Sequence, residues 1–136
     1  MDSERLHPSS PQAKEMADES MVRNLAAQAE AIWPQEEPLF RRYGISRDAI
    51  LDVGCGTGEI TGRLAEAFPD AEFLGIDLEE QHLERARRRC AGYADRVRFQ
   101  KGDAQSLPLV DQSFDLVVCR HVLQAVADPR QVLAEI

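Results

Sequence analysis

As a pattern of apolar and polar positions, the chain changes texture at Gly44. Before it, Val22, Leu25, Ala26, Ala29, Ile32 and Trp33 recur at three- and four-residue steps, which predicts an amphipathic helix from about Ala13 to Trp33. Pro34 and Pro38 bracket the acidic link Gln35-Glu36-Glu37 and are expected to stop that helix, because proline removes a backbone donor and clashes with the preceding turn. Leu39 to Tyr43 has room for one further turn, capped by Gly44. Residues 1–12, with Pro8-Ser9-Ser10-Pro11 among polar neighbours, read as a disordered tail.

After Gly44, short apolar runs alternate with longer amphipathic ones. Ala49–Val53, Glu72–Asp77, Val97–Gln100 and Phe114–Cys119 read as strands. Glu59–Phe68 carries Ile60, Leu64 and Phe68 at four-residue steps and reads as a helix halted by Pro69. Glu79–Ala91 reads as a charged helix whose Leu83, Ala86 and Cys90 face inward. Leu107-Pro108 and Asp111-Gln112-Ser113 mark loop, and a helical pattern resumes at His121 and runs to Ile136. This order predicts an α/β fold, with βαβ units on a parallel sheet and flanking helices.

Composition narrows the chemistry. Sixteen Lys+Arg against 24 Asp+Glu leave a net charge of −8, which argues against a binder held by nucleic-acid phosphates. No apolar run approaches the roughly 20 residues of a membrane span, and the start Met1-Asp2-Ser3-Glu4-Arg5 lacks a signal-peptide pattern. A cytoplasmic address is the expectation. The three cysteines, Cys55, Cys90 and Cys119, show no metal-ligand spacing and read as reduced, small apolar residues, so no metal is expected. A nucleophilic Cys119 is the sharper alternative, but no base is arranged beside it.

The most informative stretch is Leu51-Asp52-Val53-Gly54-Cys55-Gly56-Thr57-Gly58. Alternate glycines after a buried strand and before a helix allow a sharp turn and close approach of a ligand to the main chain, at the strand end where open α/β sheets bind ligands. The dinucleotide fingerprint GxGxxG requires its third glycine one residue later, where Glu59 stands. A carboxylate at a helix start repels a pyrophosphate, and Asp52 adds negative charge. These features suit a cationic ligand without phosphates.

Asp52-x-Gly54-x-Gly56-x-Gly58 resembles the first motif of the class I S-adenosylmethionine (SAM)-dependent methyltransferases, and the resemblance covers roughly residues 44–136. Asp77, at the end of the second strand, matches the acidic residue that binds the ribose hydroxyls in that family. Gly102-Asp103-Ala104 resembles the segment that holds adenine. Leu107-Pro108-x3-Asp111-x-Ser113-Phe114-Asp115-Leu116-Val117-Val118, then Val122-Leu123 and Asp128-Pro129, are similar to the ubiquinone/menaquinone-biosynthesis subfamily, which methylates small molecules.

The resemblance implies a Rossmann-like methyltransferase fold and a cofactor site made of Asp52, Gly54, Cys55, Gly56, Gly58, Asp77, Leu78, Asp103, Ala104 and Arg120, with SAM as cofactor and S-adenosylhomocysteine as product. SAM carries a sulfonium and an ammonium that Asp52 complements, and Asp77 can accept from two vicinal hydroxyls. Arg120 is expected near the cofactor's methionine portion. His121 is a candidate general base, although a packing role serves it equally. No other catalytic residue is identified.

Plainer roles stand beside these. Asp77 also suits a helix cap and Asp103 a turn, Asp115 reads as structural, and Arg85, Arg87, Arg88 and Arg89 read as a solvated helix face. Folds of this family usually have seven strands, so a chain ending after the fourth is expected to be a truncated domain whose C-terminal strands are missing. That leaves an apolar edge at the fourth strand, open to a second copy. Residues 13–43 are expected to form a lid and 44–136 a partial SAM-binding domain. The leading expectation is methyl transfer to a small molecule; a non-catalytic SAM-binding or interaction domain and a nicotinamide-dependent oxidoreductase are the alternatives.

Overall fold

The computed structural model describes residues 19–136. The expected tail over 1–12 and the start of the first helix therefore lie outside the described residues. In chain order the elements are α1 (Glu19–Arg42), β1 (Ala49–Val53), α2 (Glu59–Ala67), β2 (Glu72–Asp77), α3 (Glu80–Arg89), a 3₁₀ turn (Ala91–Tyr93), β3 (Val97–Lys101), β4 (Leu116–Cys119) and α4 (Pro129–Glu135). The four strands are parallel in the order β3-β2-β1-β4. Helices joining parallel neighbours are what the alternating texture after Gly44 requires.

The two faces of the sheet follow from strand periodicity. Ile50 and Asp52 point to one face, where Ile50, Phe73, Val97 and Val118 meet Ile60, Leu64, Ala65 and Phe68 of α2 and the loop behind it. Leu51 and Val53 point to the other, where they join Ile76 and are covered by Leu107, Leu109 and Phe114. Leu83, Ala86 and Cys90 are buried as the helical pattern of α3 predicts.

α1 departs from expectation: it runs without a break through Pro34 and Pro38. Each proline forfeits one intrahelical bond, but both rings are exposed, as are the residues Glu30 and Pro34 whose carbonyls lose their donors. Tertiary packing outweighs that loss. Ala29 is buried in the core on the α2 side of the sheet, and Trp33 and Phe40 pack against it with ring centroids 6.0 Å apart. Ile32, expected in the buried stripe, is instead exposed. Gly44 does end the segment: its N–H donates to the Arg41 carbonyl at 3.3 Å and its φ is +66°.

Two further boundaries differ. β4 begins at Leu116, because Phe114 and Asp115 precede the ladder. Asp115 instead clamps the start of β1: its N–H donates to the Ala49 carbonyl and its Oδ2 accepts from the Ala49 N–H, both at 2.8 Å. The last helix begins at Pro129, not His121. His121 sits at φ +56°, and Val122 to Ala125 form a turn. A residue before proline disfavours the helical region, so Asp128 starts a new helix as its N-cap, with its side chain accepting from the Gln131 N–H at 3.2 Å. No helix among the described residues is long and apolar enough to cross a membrane.

The proline passage is testable. Pro34→Ala is expected to stabilise the chain by up to about 3 kcal/mol, read as a higher urea midpoint. A lower midpoint would mean that the ring itself shapes the docking of Trp33.

Candidate functional site

The carboxyl ends of β1, β2 and β4 carry the glycine loop, Asp77 and Arg120. The loop is pinned to β2: the N–H groups of Gly54 and Cys55 both donate to the Ile76 carbonyl, at 2.8 and 3.0 Å. Its three glycines have positive φ but different surroundings. A Cβ on Gly54 would lie 2.3 Å from Val122, and one on Gly58 would lie 3.0 Å from Ala86 of α3. A Cβ on Gly56 would meet nothing within 4 Å. Gly54 and Gly58 thus permit close packing of the protein on itself, whereas the backbone at Gly56 faces open space.

Asp77 joins three segments. Its Oδ2 accepts from the Gly56 N–H and its Oδ1 from the Glu79 N–H, each at 2.9 Å, and His82 Nδ1 lies 3.5 Å from Oδ1. Burial alone would push this carboxyl up, but the donors from His82, Glu79 and Gly56 outweigh it and hold the group below its ordinary value. The helix-cap reading of Asp77 is therefore partly right: it holds the entry to α3 and the glycine loop together.

Asp52 behaves differently. It is 3% exposed, points toward α2 and accepts a 2.7 Å hydrogen bond from the Thr61 hydroxyl. Burial pushes its pKa from 3.8 to about 6, against the opposing effects of the Thr61 bond and the Arg120 charge. Its field reaches the loop from beneath, without an exposed oxygen. Cys55 is likewise buried, and burial followed by the charges of Asp52 and Asp77 pushes its thiol far up. Burial also raises the Cys119 thiol, so neither sulfur has the character of a nucleophile.

The remaining predicted site residues fall around this centre. Leu78 is 55% exposed beside Asp77, a large apolar side chain left uncovered at a strand end. Asp103 holds a turn, its Oδ1 accepting from the Gln105 N–H at 2.9 Å, and Ala104 packs beneath it on the second core cluster. His121 is exposed, and its ring makes no hydrogen bond among the described residues.

Arg120 reaches back to α1: Nε and Nη2 donate to Glu36 Oε1 at 3.1 and 2.8 Å. Glu59 is paired with Arg89, which offsets the negative charge expected at the start of α2. A pyrophosphate is then disfavoured by the glycine spacing and by the buried Asp52 beneath the loop. The arginine run of α3 is largely paired, Arg85 with Glu19 and Arg87 with Glu80.

Three partners escaped the sequence reading: Thr61 under Asp52, His82 beside Asp77, and Glu36 on Arg120. Thr61 was the most accessible, since it lies on the inward face of a helix that must cover β1. Glu36, 84 residues from Arg120, gave no local signal.

Residues 46–136 match the family described as Methyltransferase domain. The chain is 41% identical over 92 residues to the demethylmenaquinone methyltransferase of Symbiobacterium thermophilum, covering 65% of this chain and 37% of the relative. It is 43% identical over 89 residues to the O-methyltransferase cnsE of Penicillium expansum, covering 64% and 32%. The chain thus spans about a third of the length of these curated relatives. Among solved structures, it superposes on YcgJ of Bacillus subtilis with a TM-score of 0.57 at 35% identity, over 65% of this chain and 38% of that one. A Methanococcus maripaludis protein assigned to the S-adenosyl-L-methionine-dependent methyltransferases superposes with a TM-score of 0.73 at 23% identity, over 88% and 57%, and so shares the fold.

The burial of Asp52 gives a pH test. A raised native pKa means that the folded state binds the proton more tightly, so the stability it confers is full below 3.8 and is lost as pH rises through about 6. The loss amounts to roughly 3 kcal/mol. Asp52→Asn is expected to abolish this fall and to be the more stable protein at pH 7, measured by urea unfolding from pH 4 to 8. Parallel pH profiles for the two proteins would refute the assignment.

Proposed function

This chain belongs to the methyltransferase-domain family, and from that premise we propose that it carries the SAM-binding part of an enzyme that methylates a small molecule. The observation that carries the reading is the Asp77 carboxylate, held below its ordinary pKa, anchored by the Gly56 N–H, and set beside the one of the three loop glycines whose Cβ direction is open. Support also comes from relatives named as demethylmenaquinone methyltransferases and an O-methyltransferase.

In this proposal Asp77 accepts from the ribose hydroxyls, and Gly54, Cys55, Gly56 and Gly58 bring the main chain against the nucleoside. Leu78, Asp103 and Ala104 flank the adenine, with the exposed Leu78 offering an apolar surface to a ring face. Asp52 favours positive charge from beneath the loop, and Arg120 lies at the amino-acid end. When bound, SAM supplies a methyl group already activated on a sulfonium. The chain's contribution is then chiefly alignment and exclusion of water, with His121 a candidate to take a proton from an acidic acceptor. The length covered in the relatives fits a cofactor-binding part, with the acceptor pocket supplied largely elsewhere. β4 is the outer strand of the sheet among the described residues, which supports pairing with a second copy through that edge.

The experiment is a thermal-shift and calorimetric titration with S-adenosylhomocysteine and with NAD. Stabilisation by the first and not the second is expected, and stabilisation by NAD alone would overturn the reading. Asp77→Ala should weaken S-adenosylhomocysteine binding by about 100-fold or more, the loss of two hydrogen bonds to a charged group. Unchanged affinity would reject the ribose assignment.

A further inference from the structure

We propose that Glu36, on α1, receives the α-ammonium group of the cofactor's amino-acid end and that Glu36 and Arg120 together form a receptor for a zwitterion. This inference rests on the SAM reading of the site and adds to it a residue outside the family-matched segment, which begins at residue 46.

Arg120 spends two donors, Nε and Nη2, on one oxygen of Glu36, Oε1. The other oxygen, Oε2, is buried and has no hydrogen-bond partner. Buried carboxylate oxygens without a donor are rare in native proteins, since they have lost hydration and gained nothing in return. In its neighbour, Arg120 Nη1 makes no hydrogen bond among the described residues, although it is not a buried orphan as Oε2 is. The pair thus presents one free acceptor of negative charge and one free donor of positive charge. An α-amino acid head, ammonium beside carboxylate, has the complementary pair.

The place is suitable. Cys119 pairs with Val53 across β4 and β1, so Arg120 stands one residue past the ladder, level with Gly54. Asp77 ends β2, on the other side of β1. The crevice outside the strand ends is therefore flanked by the ribose carboxylate on the β2 side and by the Glu36–Arg120 pair on the β4 side. Those flanks lie two strand spacings apart, about 10 Å, with the glycine loop between them. A nucleoside joined by a thioether chain to an amino-acid head spans such a crevice with one end at each flank.

Asp52 does not serve in this role. It is 3% exposed, and one of its oxygens already accepts from Thr61. Glu36 is 21% exposed, and its placement depends on α1 continuing through both prolines, which carries the acidic link back over the end of β4.

The test uses the chain with two probes, S-adenosylhomocysteine and its analogue lacking the α-amino group, titrated calorimetrically. Glu36→Gln keeps an oxygen for Arg120 and puts an amide NH₂ where Oε2 was, so the link to α1 survives while the acceptor is lost. S-adenosylhomocysteine affinity should fall by about 10-fold in Glu36→Gln, while the desamino analogue binds both proteins alike. In the unaltered chain, S-adenosylhomocysteine should bind about 10-fold more tightly than the desamino analogue, a comparison that needs no variant. Equal binding of the two probes to the unaltered chain would overturn the proposal, as would equal losses of both in Glu36→Gln. Failure of the unaltered chain to bind S-adenosylhomocysteine at all would instead sink the SAM reading, and this inference with it.

Discussion

The site depends on one carboxylate doing two structural jobs before it meets any ligand. Asp77 accepts from the Gly56 N–H with one oxygen and from the Glu79 N–H with the other. The first bond fixes a glycine loop that has no side chains of its own to hold it, and the second sets the entry of α3. Its carbonyl accepts from the Gly102 N–H at 3.0 Å, so the end of β3 is tied to the same residue. Three backbone N–H groups near strand ends are thus satisfied at one residue, two by its side chain and one by its carbonyl. A carboxylate fixed this way needs no reorganisation to accept further donors.

Around this centre, charge is arranged by depth. Asp52 lies under the loop at the cost of a raised pKa, offset in part by the Arg120 charge from the β4 side, whereas Asp77 is held below its ordinary value by His82 and two backbone N–H donors. Two carboxylates in neighbouring strands thus differ because one is surrounded by apolar side chains and one hydroxyl, the other by N–H donors. Arg120 in turn is held by Glu36, which ties α1 to the crevice and makes the N-terminal segment part of the site's electrostatics. The same economy of pairing applies on the far side, where Arg89 joins Glu59 and donates to the Thr57 carbonyl at 3.2 Å.

Much of this was legible from residue patterns. The alternation after Gly44 predicted the parallel sheet and the inward faces of α2 and α3, because burial obeys periods of 2 and 3.6 whatever the partners. The glycine spacing and the position of Asp77 at a strand end put the loop and that carboxylate at neighbouring strand ends, where the Gly56 N–H donates to Asp77. The prolines of α1 were misread, since their local penalty is real but smaller than the packing of Ala29, Trp33 and Phe40. The start of α4 was misread for the opposite reason: Asp128-Pro129 carries a clear helix-start signal that the apolar pattern beginning at His121 overrode.

What the residues determined by themselves, then, is the run of strands and helices, the faces they bury and the sharp glycine turn after β1, all of which follow from short-range sterics and hydrophobic period. What only the tertiary structure decided is which charges meet. Strand alternation placed Asp52 under Thr61, where water is excluded, and the unbroken α1 carried Glu36 onto Arg120 across 84 residues. Pairing between distant side chains leaves no imprint on local pattern, because it depends on how whole elements stack, and that is settled by the core as a unit.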